Sequence, residues 1–267
     1  MLKNSAKTKL KSGAPVLNGW LHIPSSLSAE AMAHAGFGTL TVDLQHGPIG
    51  FDTALSMIQA ISSTPTVPLA RAPWNEPGII MKLLDAGCYG VICPMISTRA
   101  QCEAFVAACL YPPHGVRSFG PTRVRLHAGA DYAERANDEV LTFAMIETAE
   151  ALQNLAEIMS VPGLDAVYVG PADLSQSLGG APGADWEQGP VWEALSVIAQ
   201  AAREHGVIAG IHTNSVAYAQ KMLRLGYAFV TIQADLAYLL AGANKVVSSL
   251  EPTPAQTETS AQESDDA

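Results

Sequence analysis

Short apolar runs of four to seven residues alternate along this chain with longer stretches of mixed apolar and polar residues. The runs are too short for helices and lack a polar face, which is typical of strands buried on both sides of a parallel sheet. The mixed stretches carry apolar residues at three- and four-residue spacing, which predicts amphipathic helices. The predicted strands are residues 16–21, 38–44, 67–70, 90–93, 141–146, 166–169, 207–211 and 228–232.

The order of these elements predicts the fold class. About eight strand–helix repeats in 267 residues, without a break in composition, match the repeat number and length of a (β/α)₈ TIM barrel. We therefore expect an α/β protein with a single barrel domain over residues 1–250. A doubly wound open sheet is less consistent with the sequence, because no G-x-G-x-x-G motif follows an early strand. The polar segment 111–130 is predicted to be a long loop.

Charge is unevenly distributed. The formal net charge is −10, which argues against binding to nucleic acids or to anionic membrane surfaces. Five carboxylates and no basic residue lie in residues 251–267, which also lack large apolar side chains. We expect this acidic tail to be disordered.

The cysteines and the apolar runs bear on localisation. The four cysteines form no C-x-x-C pair and lie in apolar surroundings, which is typical of buried thiols in a reducing compartment. No apolar stretch approaches the roughly 18–20 residues that a membrane span needs. No apolar signal core follows the N-terminal lysines. These features predict a cytoplasmic protein with no membrane association.

Two acidic residues follow neighbouring strands of the predicted barrel. Glu147 directly follows strand 141–146, and Asp173 comes four residues after strand 166–169. Because the carboxyl ends of parallel strands meet at one rim, we expect the two carboxylates to lie close together. Neither run contains a Lys or Arg that would neutralise them. The pair therefore predicts a site for a divalent cation such as Mg²⁺, Mn²⁺ or Co²⁺.

Other reactive side chains lie at the ends of the remaining strands. His46 has the intrinsic pKa of a general base, and Asp43 is predicted to orient its ring. Arg71 is a planar donor that can stabilise an enolate formed next to a metal-polarised ketone. His212 ends strand seven and is a candidate substrate-binding residue. The sequence thus predicts enolate chemistry on a 2-oxo acid.

Other reaction types, and structural roles for the same residues, were the alternatives to enolate chemistry. A Schiff-base mechanism is disfavoured because no lysine ends a predicted strand, and no G-x-S-x-G motif supports a serine hydrolase. Glu147 or Asp173 taken alone is more often a helix cap or an ion-pair partner. Three histidines are predicted to be structural or solvated: His22, His34 and His205. Three loop arginines are interpreted either as a solvated face or as ligands of a distal carboxylate or a neighbouring subunit: Arg117, Arg123 and Arg125.

An ordered set of motifs resembles the HpcH/HpaI class II pyruvate aldolases over roughly residues 13–247. The motifs are Asp43-Leu44-Gln45-His46-Gly47, Arg71-Ala72-Pro73-Trp74-Asn75, Leu83-Leu84-Asp85-Ala86-Gly87, Tyr111-Pro112-Pro113 with Gly115-Val116-Arg117, Met145-Ile146-Glu147-Thr148 and Gly170-Pro171-Ala172-Asp173. The resemblance implies a TIM barrel of the phosphoenolpyruvate/pyruvate-binding type. It also implies a homohexamer, a trimer of dimers that exchange their last helix.

The resemblance further implies an activity and its residues. The implied reaction is the reversible, metal-dependent cleavage of a 4-hydroxy-2-oxo acid to pyruvate and an aldehyde through a metal-bound pyruvate enolate. By the same resemblance, Glu147 and Asp173 would be the metal ligands. His46 with Asp43 would be the base dyad, and Arg71 the residue that stabilises the enolate. The substrate-binding positions would be Gly170, Pro171 and Ala172 for the carboxylate and Trp20 for the pocket wall.

The chain departs from the family pattern close to the predicted metal ligands, and two other functions stay open. Met145 stands where some members of the family have Gln, which removes a polar group near the metal ligands and bears on metal and substrate preference. The first alternative is an acyl-CoA lyase of the malyl or citryl type. The second is a non-catalytic protein that binds 2-oxo acids.

Overall fold

Eight parallel strands close into a barrel in the computed structural model, which describes residues 2–250. Each strand pairs with the next in chain order, and the first also pairs with the last, with Val16 opposite Phe229. The predicted (β/α)₈ barrel is therefore confirmed. The strands are β1 (Val16–Leu21), β2 (Thr39–Asp43), β3 (Val67–Arg71), β4 (Gly90–Cys93), β5 (Leu141–Ile146), β6 (Ala166–Val169), β7 (Ile208–Thr213) and β8 (Phe229–Ile232).

Helices surround the barrel and connect its strands. Several begin at side-chain caps, as where Thr98 accepts a hydrogen bond from the backbone N–H of Gln101, and Gly87 ends another in the left-handed conformation. The helices are α1 (Ser5–Lys11), α2 (Ser26–Ala33), α3 (Phe51–Ile61), α4 (Pro77–Ala86), α5 (Arg99–Cys109), α6 (Arg123–Ala128), α7 (Tyr132–Glu139), α8 (Ala149–Gln153), α9 (Leu155–Met159), α10 (Pro171–Ser177), α11 (Gly189–His205), α12 (Val216–Leu225) and α13 (Asp235–Leu250).

The prediction of one long loop over residues 111–130 is wrong in part. Helix α6 lies inside that segment, and α7 follows directly after it. Each helix buries a pair of residues at four-residue spacing, Val124 with Ala128 and Tyr132 with Ala136. Two buried positions per short helix are a weak signal among many polar residues, so the pattern is visible only once the packing surface is known. The acidic tail predicted for residues 251–267 lies outside the described residues.

Alternation along each strand separates two cores. On β1, Trp20 packs into the cluster inside the barrel, whereas the next residue, Leu21, packs into the cluster between strands and helices. The same alternation sends Met145 inward and Ile146 outward on β5. Each inward position lies on the same face as the residue two places along the chain. The strands therefore direct every second residue at their carboxyl ends towards the mouth of the barrel.

A polar layer lies below that mouth. The side-chain oxygen of Asn18 accepts hydrogen bonds from the hydroxyls of Thr39 and Thr41, at 2.8 and 3.0 Å, and its amide donates to Thr231 at 2.9 Å. All of these groups are buried, so their mutual hydrogen bonds offset the cost of desolvation. None of the helices within residues 2–250 combines the length and hydrophobicity that a bilayer span requires.

Candidate active site

A cavity of about 420 Å³ opens at the carboxyl ends of the strands. No lysine is among the described residues that line it. Asp43 and Glu147 are also predicted site residues, and each lies against a residue that lines the cavity. The lining residues are Trp20, His22, His46, Arg71, Met145, Tyr168, Gly170, Pro171, Ala172, Asp173, Pro182, Gly183, Ala184, His212 and Asn214.

Asp43 is the hydrogen-bonding centre of one side of the site. Its fully buried carboxylate accepts two hydrogen bonds from Arg71, through Nε at 2.8 Å and Nη2 at 2.6 Å. Trp20 Nε1 donates to it at 3.1 Å. Burial alone would raise the pKa of Asp43, but the hydrogen bonds from His22, Arg71 and Trp20 and the charge of Arg71 hold it well below its usual range. Asp43 is therefore a permanent carboxylate in the folded protein.

The histidine ring that Asp43 contacts is not the one expected from the sequence. The backbone N–H of His46 donates to Asp43 Oδ1 at 3.3 Å, so Asp43 holds the main chain of His46. The ring hydrogen bond of Asp43 is made instead with Nε2 of His22, at 2.9 Å from Oδ2. His22 was predicted to be structural or solvated, yet its ring lines the cavity and is 33% exposed. The sequence does contain a signal, because counting by two along β1 leads from Trp20 to residue 22.

Arg71 is fixed at the rim of the barrel. It ends β3, and its guanidinium is held by Asp43 on one edge and lies 4.9 Å from the centroid of the Trp20 ring. Only 8% of the residue is exposed, and that part faces the cavity that it lines. The side chain is therefore a preorganised positive donor, with little conformational entropy left to lose when it binds an oxyanion.

Glu147 directly follows β5, and Asp173 lies in the first turn of α10 and lines the cavity. Glu147 is 2% exposed, and its Oε1 accepts the backbone N–H of Met95 at 2.6 Å. Burial raises the pKa of Glu147 to about 7, against the hydrogen bond from Met95 and with a further contribution from the negative charge of Asp173. Neither carboxylate forms an ion pair with a Lys or Arg within residues 2–250. Two carboxylates that raise each other's cost of ionisation and form no ion pair are a suitable donor set for a cation.

The main chain next to Glu147 and Asp173 leaves no space for an additional side chain. A Cβ atom on Gly170 would lie only 2.6 Å from Glu147 Oε2, so no larger residue fits there without displacing the carboxylate. Gly170 is also the N-cap of α10, where no side chain caps the helix and Pro171 occupies the first turn. Within residues 2–250 no group of three or more His, Cys, Asp or Glu side chains is arranged to hold a metal. Most of the coordination shell would therefore belong to water and substrate, as is usual for Mg²⁺.

An aromatic wall closes the cavity between β1, β6 and β7. Trp20 stacks on Tyr168 with ring centroids 5.6 Å apart, and His212 packs edge-on against Trp20 at 5.4 Å. The hydroxyl of Tyr168 lies 3.3 Å from Nδ1 of His212. Burial, together with the positive charge of Arg71, lowers the pKa of His212 to about 4. His212 is therefore a neutral polar group at pH 7.

The loop arginines are engaged elsewhere in the fold. Arg117 donates to Asp85 at 2.6 Å and to the hydroxyl of Tyr132 at 2.9 Å, and Arg123 donates to the carbonyl of Ala86 at 2.8 Å. None of the three predicted loop arginines lines the cavity. Within one chain, the two with these contacts hold the loop onto the barrel and do not bind a distal carboxylate.

The chain is similar to proteins of one family over most of its length. A family model described as HpcH/HpaI aldolase/citrate lyase matches residues 19–241. The chain is 43% identical to the hydroxypyruvate/pyruvate aldolase of Rhizorhabdus wittichii, over 91% of this chain and 97% of that protein. It is 38% identical to a 4-hydroxy-2-oxo-heptane-1,7-dioate aldolase of Salmonella dublin, over 91% and 92%. A solved structure of an aldolase/citrate lyase family protein from Burkholderia cenocepacia superposes with a TM-score of 0.87 at 30% identity, covering 94% of this chain and 100% of that one.

Proposed function

Because the chain belongs to the HpcH/HpaI aldolase/citrate lyase family, we propose that it is a class II pyruvate aldolase. This carbon–carbon lyase reversibly cleaves a 4-hydroxy-2-oxo acid to pyruvate and an aldehyde. The observation that carries the proposal is that two kinds of group meet at one cavity. Arg71, held by Asp43, supplies a fixed guanidinium, and Glu147 and Asp173 are carboxylates that form no ion pair with a Lys or Arg within residues 2–250. Relatives that carry aldolase names support the same activity.

Glu147 and Asp173 would hold the divalent cation, with Mg²⁺, Mn²⁺ and Co²⁺ as the candidates. The oxygen-only donors, the raised pKa of Glu147 and the missing space for a Cβ at Gly170 fit such a group. A bound cation would supply Lewis-acid polarisation of the substrate ketone. The backbone N–H groups of Ala172 and Asp173, which follow Gly170 and Pro171 at the start of α10, would bind the substrate carboxylate, as the family resemblance implies.

Arg71 binds the oxygen on C2 of the substrate. When the C3–C4 bond breaks, its electron pair becomes the C2–C3 double bond and negative charge moves onto that oxygen. The guanidinium is already oriented by Asp43, so it stabilises the enolate without reorganising. Protonation of C3 by solvent water, balanced by release to solvent of the proton that the base takes from the C4 hydroxyl, then gives pyruvate.

His46 lines the cavity and is the candidate base for the C4 hydroxyl. It takes the hydroxyl proton as C4 becomes the aldehyde carbon, and it returns a proton in the reverse reaction. Asp43 contributes by holding the backbone N–H groups of Gln45 and His46, at 3.0 and 3.3 Å. Trp20 forms the apolar wall that limits the access of water to the enolate.

The thioester-lyase alternative has less support in the cavity itself. Arg71 is the one Lys or Arg among its described lining residues, and Asp43 already binds it. The phosphates of a CoA substrate would therefore find no further basic group there. A purely binding role is disfavoured because every predicted catalytic type is present around the cavity.

We also propose that the protein assembles as a homohexamer, a trimer of dimers, in the cytoplasm. Helix α13 exposes apolar side chains along its length, and only its first residue, Asp235, is buried. The four cysteines are free and buried, which is consistent with a reducing compartment. The family resemblance implies that paired subunits exchange their last helices, and this exchange would cover the exposed apolar side chains of α13.

The test is the exchange of pyruvate methyl protons with D₂O, followed by NMR, because enolisation requires no knowledge of the aldehyde. We expect exchange with Mg²⁺, Mn²⁺ or Co²⁺ and none in metal-stripped protein. Glu147→Gln should lower the rate by at least about 100-fold, since it removes a metal ligand. The matched control is Glu150→Gln, three residues away and exposed on α8, which should exchange at the wild-type rate. Folded protein that exchanges with no metal would overturn the aldolase proposal.

A further inference from the structure

His22 is a histidine at the cavity that the proposed mechanism leaves without a role. Its Nε2 lies 2.9 Å from Asp43 Oδ2, and its backbone N–H donates to Asp235 Oδ1 at 2.8 Å. Asp235 is buried and also accepts the backbone N–H of Ile23. The residue is thus held at its main chain and at its ring, from two different elements. A side chain fixed in this way at a cavity wall can impose a specific hydrogen-bonding geometry on a ligand.

The contact with Asp43 determines which ring nitrogen carries the proton. Asp43 is ionised and can only accept hydrogen bonds, so the Nε2 of His22 must be the protonated nitrogen. In the neutral imidazole this leaves Nδ1 as an acceptor. Within residues 2–250 no protein group donates to Nδ1 of His22. With the ring neutral, Nδ1 is an unused acceptor that suits a hydroxyl group, whereas a carboxylate, which cannot donate, would find no partner there.

The charges around the cavity favour the same kind of ligand. Among the described lining residues, Arg71 is the one Lys or Arg, and two of its nitrogens bind Asp43. His212 is neutral at pH 7, and Asn214 is an uncharged amide. A second carboxylate at the far end of a substrate would find no free Lys or Arg among the described residues that line the cavity, whereas a hydroxyl would find neutral donors and acceptors.

We propose that His22 is a specificity-determining residue whose Nδ1 accepts a hydrogen bond from a substrate hydroxyl, so that the enzyme prefers neutral hydroxylated substrates to acidic ones. The inference rests on the proposed aldolase function. The hydroxyl has two possible sources, the aldehyde or the 3-position of the oxo acid, as in hydroxypyruvate. Both present the same donor to the same nitrogen.

The experiment measures kcat/KM for carbon–carbon bond formation by the full-length protein with Mn²⁺. Glyceraldehyde is compared with propanal, both with pyruvate, which tests a hydroxyl on the aldehyde. Hydroxypyruvate is compared with pyruvate, both with propanal, which tests a hydroxyl on the oxo acid. Succinic semialdehyde with pyruvate tests a distal carboxylate. We expect at least one hydroxylated substrate to exceed its deoxy analogue by about tenfold, the effect of one good hydrogen bond. Succinic semialdehyde should be poorer than glyceraldehyde.

Three variants separate recognition from structural support. His22→Gln can keep a donor towards Asp43 but places no acceptor where Nδ1 lies, so the ratio of hydroxylated to deoxy substrate should fall towards one. His22→Asn places an amide oxygen near Nδ1 and should retain part of the ratio. His34→Gln, at an exposed histidine on the outside of the barrel, should keep the wild-type ratio. A merely structural role would lower both members of each pair equally.

The outcomes for the two proposals differ. If pyruvate methyl protons exchange but every hydroxylated-to-deoxy ratio is near one, the assignment of His22 is wrong and the aldolase function stands. Preference for succinic semialdehyde, or a ratio that His22→Gln leaves unchanged, would also overturn the assignment. If no exchange occurs with any metal, the aldolase function fails first.

Discussion

Gly170 shows how a single residue can be dictated by its neighbour's chemistry. An added Cβ would meet Glu147 Oε2 at 2.6 Å and the methyl carbon of Met145 at 3.1 Å. Its backbone conformation, with φ of −96°, is open to any residue, so conformational freedom does not explain the glycine. The reason is space, since the carboxylate of Glu147 occupies the volume that a side chain would need.

The substitution Gly170→Ala should therefore lower the affinity for the metal more than it lowers the stability of the fold. The methyl group would push the Glu147 carboxylate from its position, and we expect the affinity for Mn²⁺ to fall by about 10- to 100-fold. Isothermal titration calorimetry measures this loss independently of activity. Gly120→Ala is the matched control, because a Cβ there meets no atom within 4 Å. Equal Mn²⁺ affinities of the two variants would contradict the close packing of Gly170 against the ligand.

The segment that follows helix α10 forms part of the cover of the cavity. Pro182, Gly183 and Ala184 line it, and the next residue, Asp185, fastens the segment to the junction of β7 and α12. Asp185 Oδ1 accepts the backbone N–H of Asn214, and Oδ2 accepts the hydroxyl of Ser215, both at 2.8 Å. Asp185 has a φ of +56°, a conformation that Asp tolerates better than most residues.

Removing this attachment should loosen the cover of the cavity. Asp185→Gly deletes the carboxylate and adds no backbone strain, because glycine adopts positive φ freely. We expect KM for the oxo acid to rise about fivefold, since the binding segment loses two hydrogen bonds. Hydrogen exchange of residues 179–188 should become faster. Asp185→Asn keeps one acceptor and should have a smaller effect; unchanged exchange in both variants would show that the segment is held by other contacts.

At the scale of the whole molecule, α13 carries surface that a single chain leaves uncovered. Its exposed apolar residues follow helical spacing and form one stripe, while most other helices bury theirs against the barrel. An exposed stripe of this length is typical of a subunit interface. The stripe consists of Leu236, Leu239, Leu240, Val246, Val247 and Leu250.

A charge in this stripe should therefore dissociate the proposed hexamer. Leu240→Glu places a carboxylate in the apolar contact, at a cost of several kcal/mol for each buried copy. Light scattering with size-exclusion chromatography should show smaller assemblies. Ala241→Glu introduces the same residue one position further, on the opposite face of the helix, and should leave the mass unchanged. A monomeric wild-type protein would contradict the hexamer directly.

Much of this description follows from local sequence pattern. The apolar runs predict all eight strands, because a strand buried on both faces must be apolar whatever packs against it. The same runs place Glu147 and Arg71 at strand ends, where chain connectivity alone brings them to one rim. Helices α6 and α7 are not predicted, because their few buried residues can be recognised only when the surface that they cover is known.

Alternation and strand ends are local properties of the chain, so the barrel and the residues gathered at its mouth can be predicted without the structure. Which of those residues contact each other depends on how the chain packs. Asp43 lies three residues from His46, yet its carboxylate contacts the ring of His22, which comes from a different strand end. A hydrogen bond between side chains depends on rotamers and on the stagger between strands. Distances of this kind exist only when the barrel is closed.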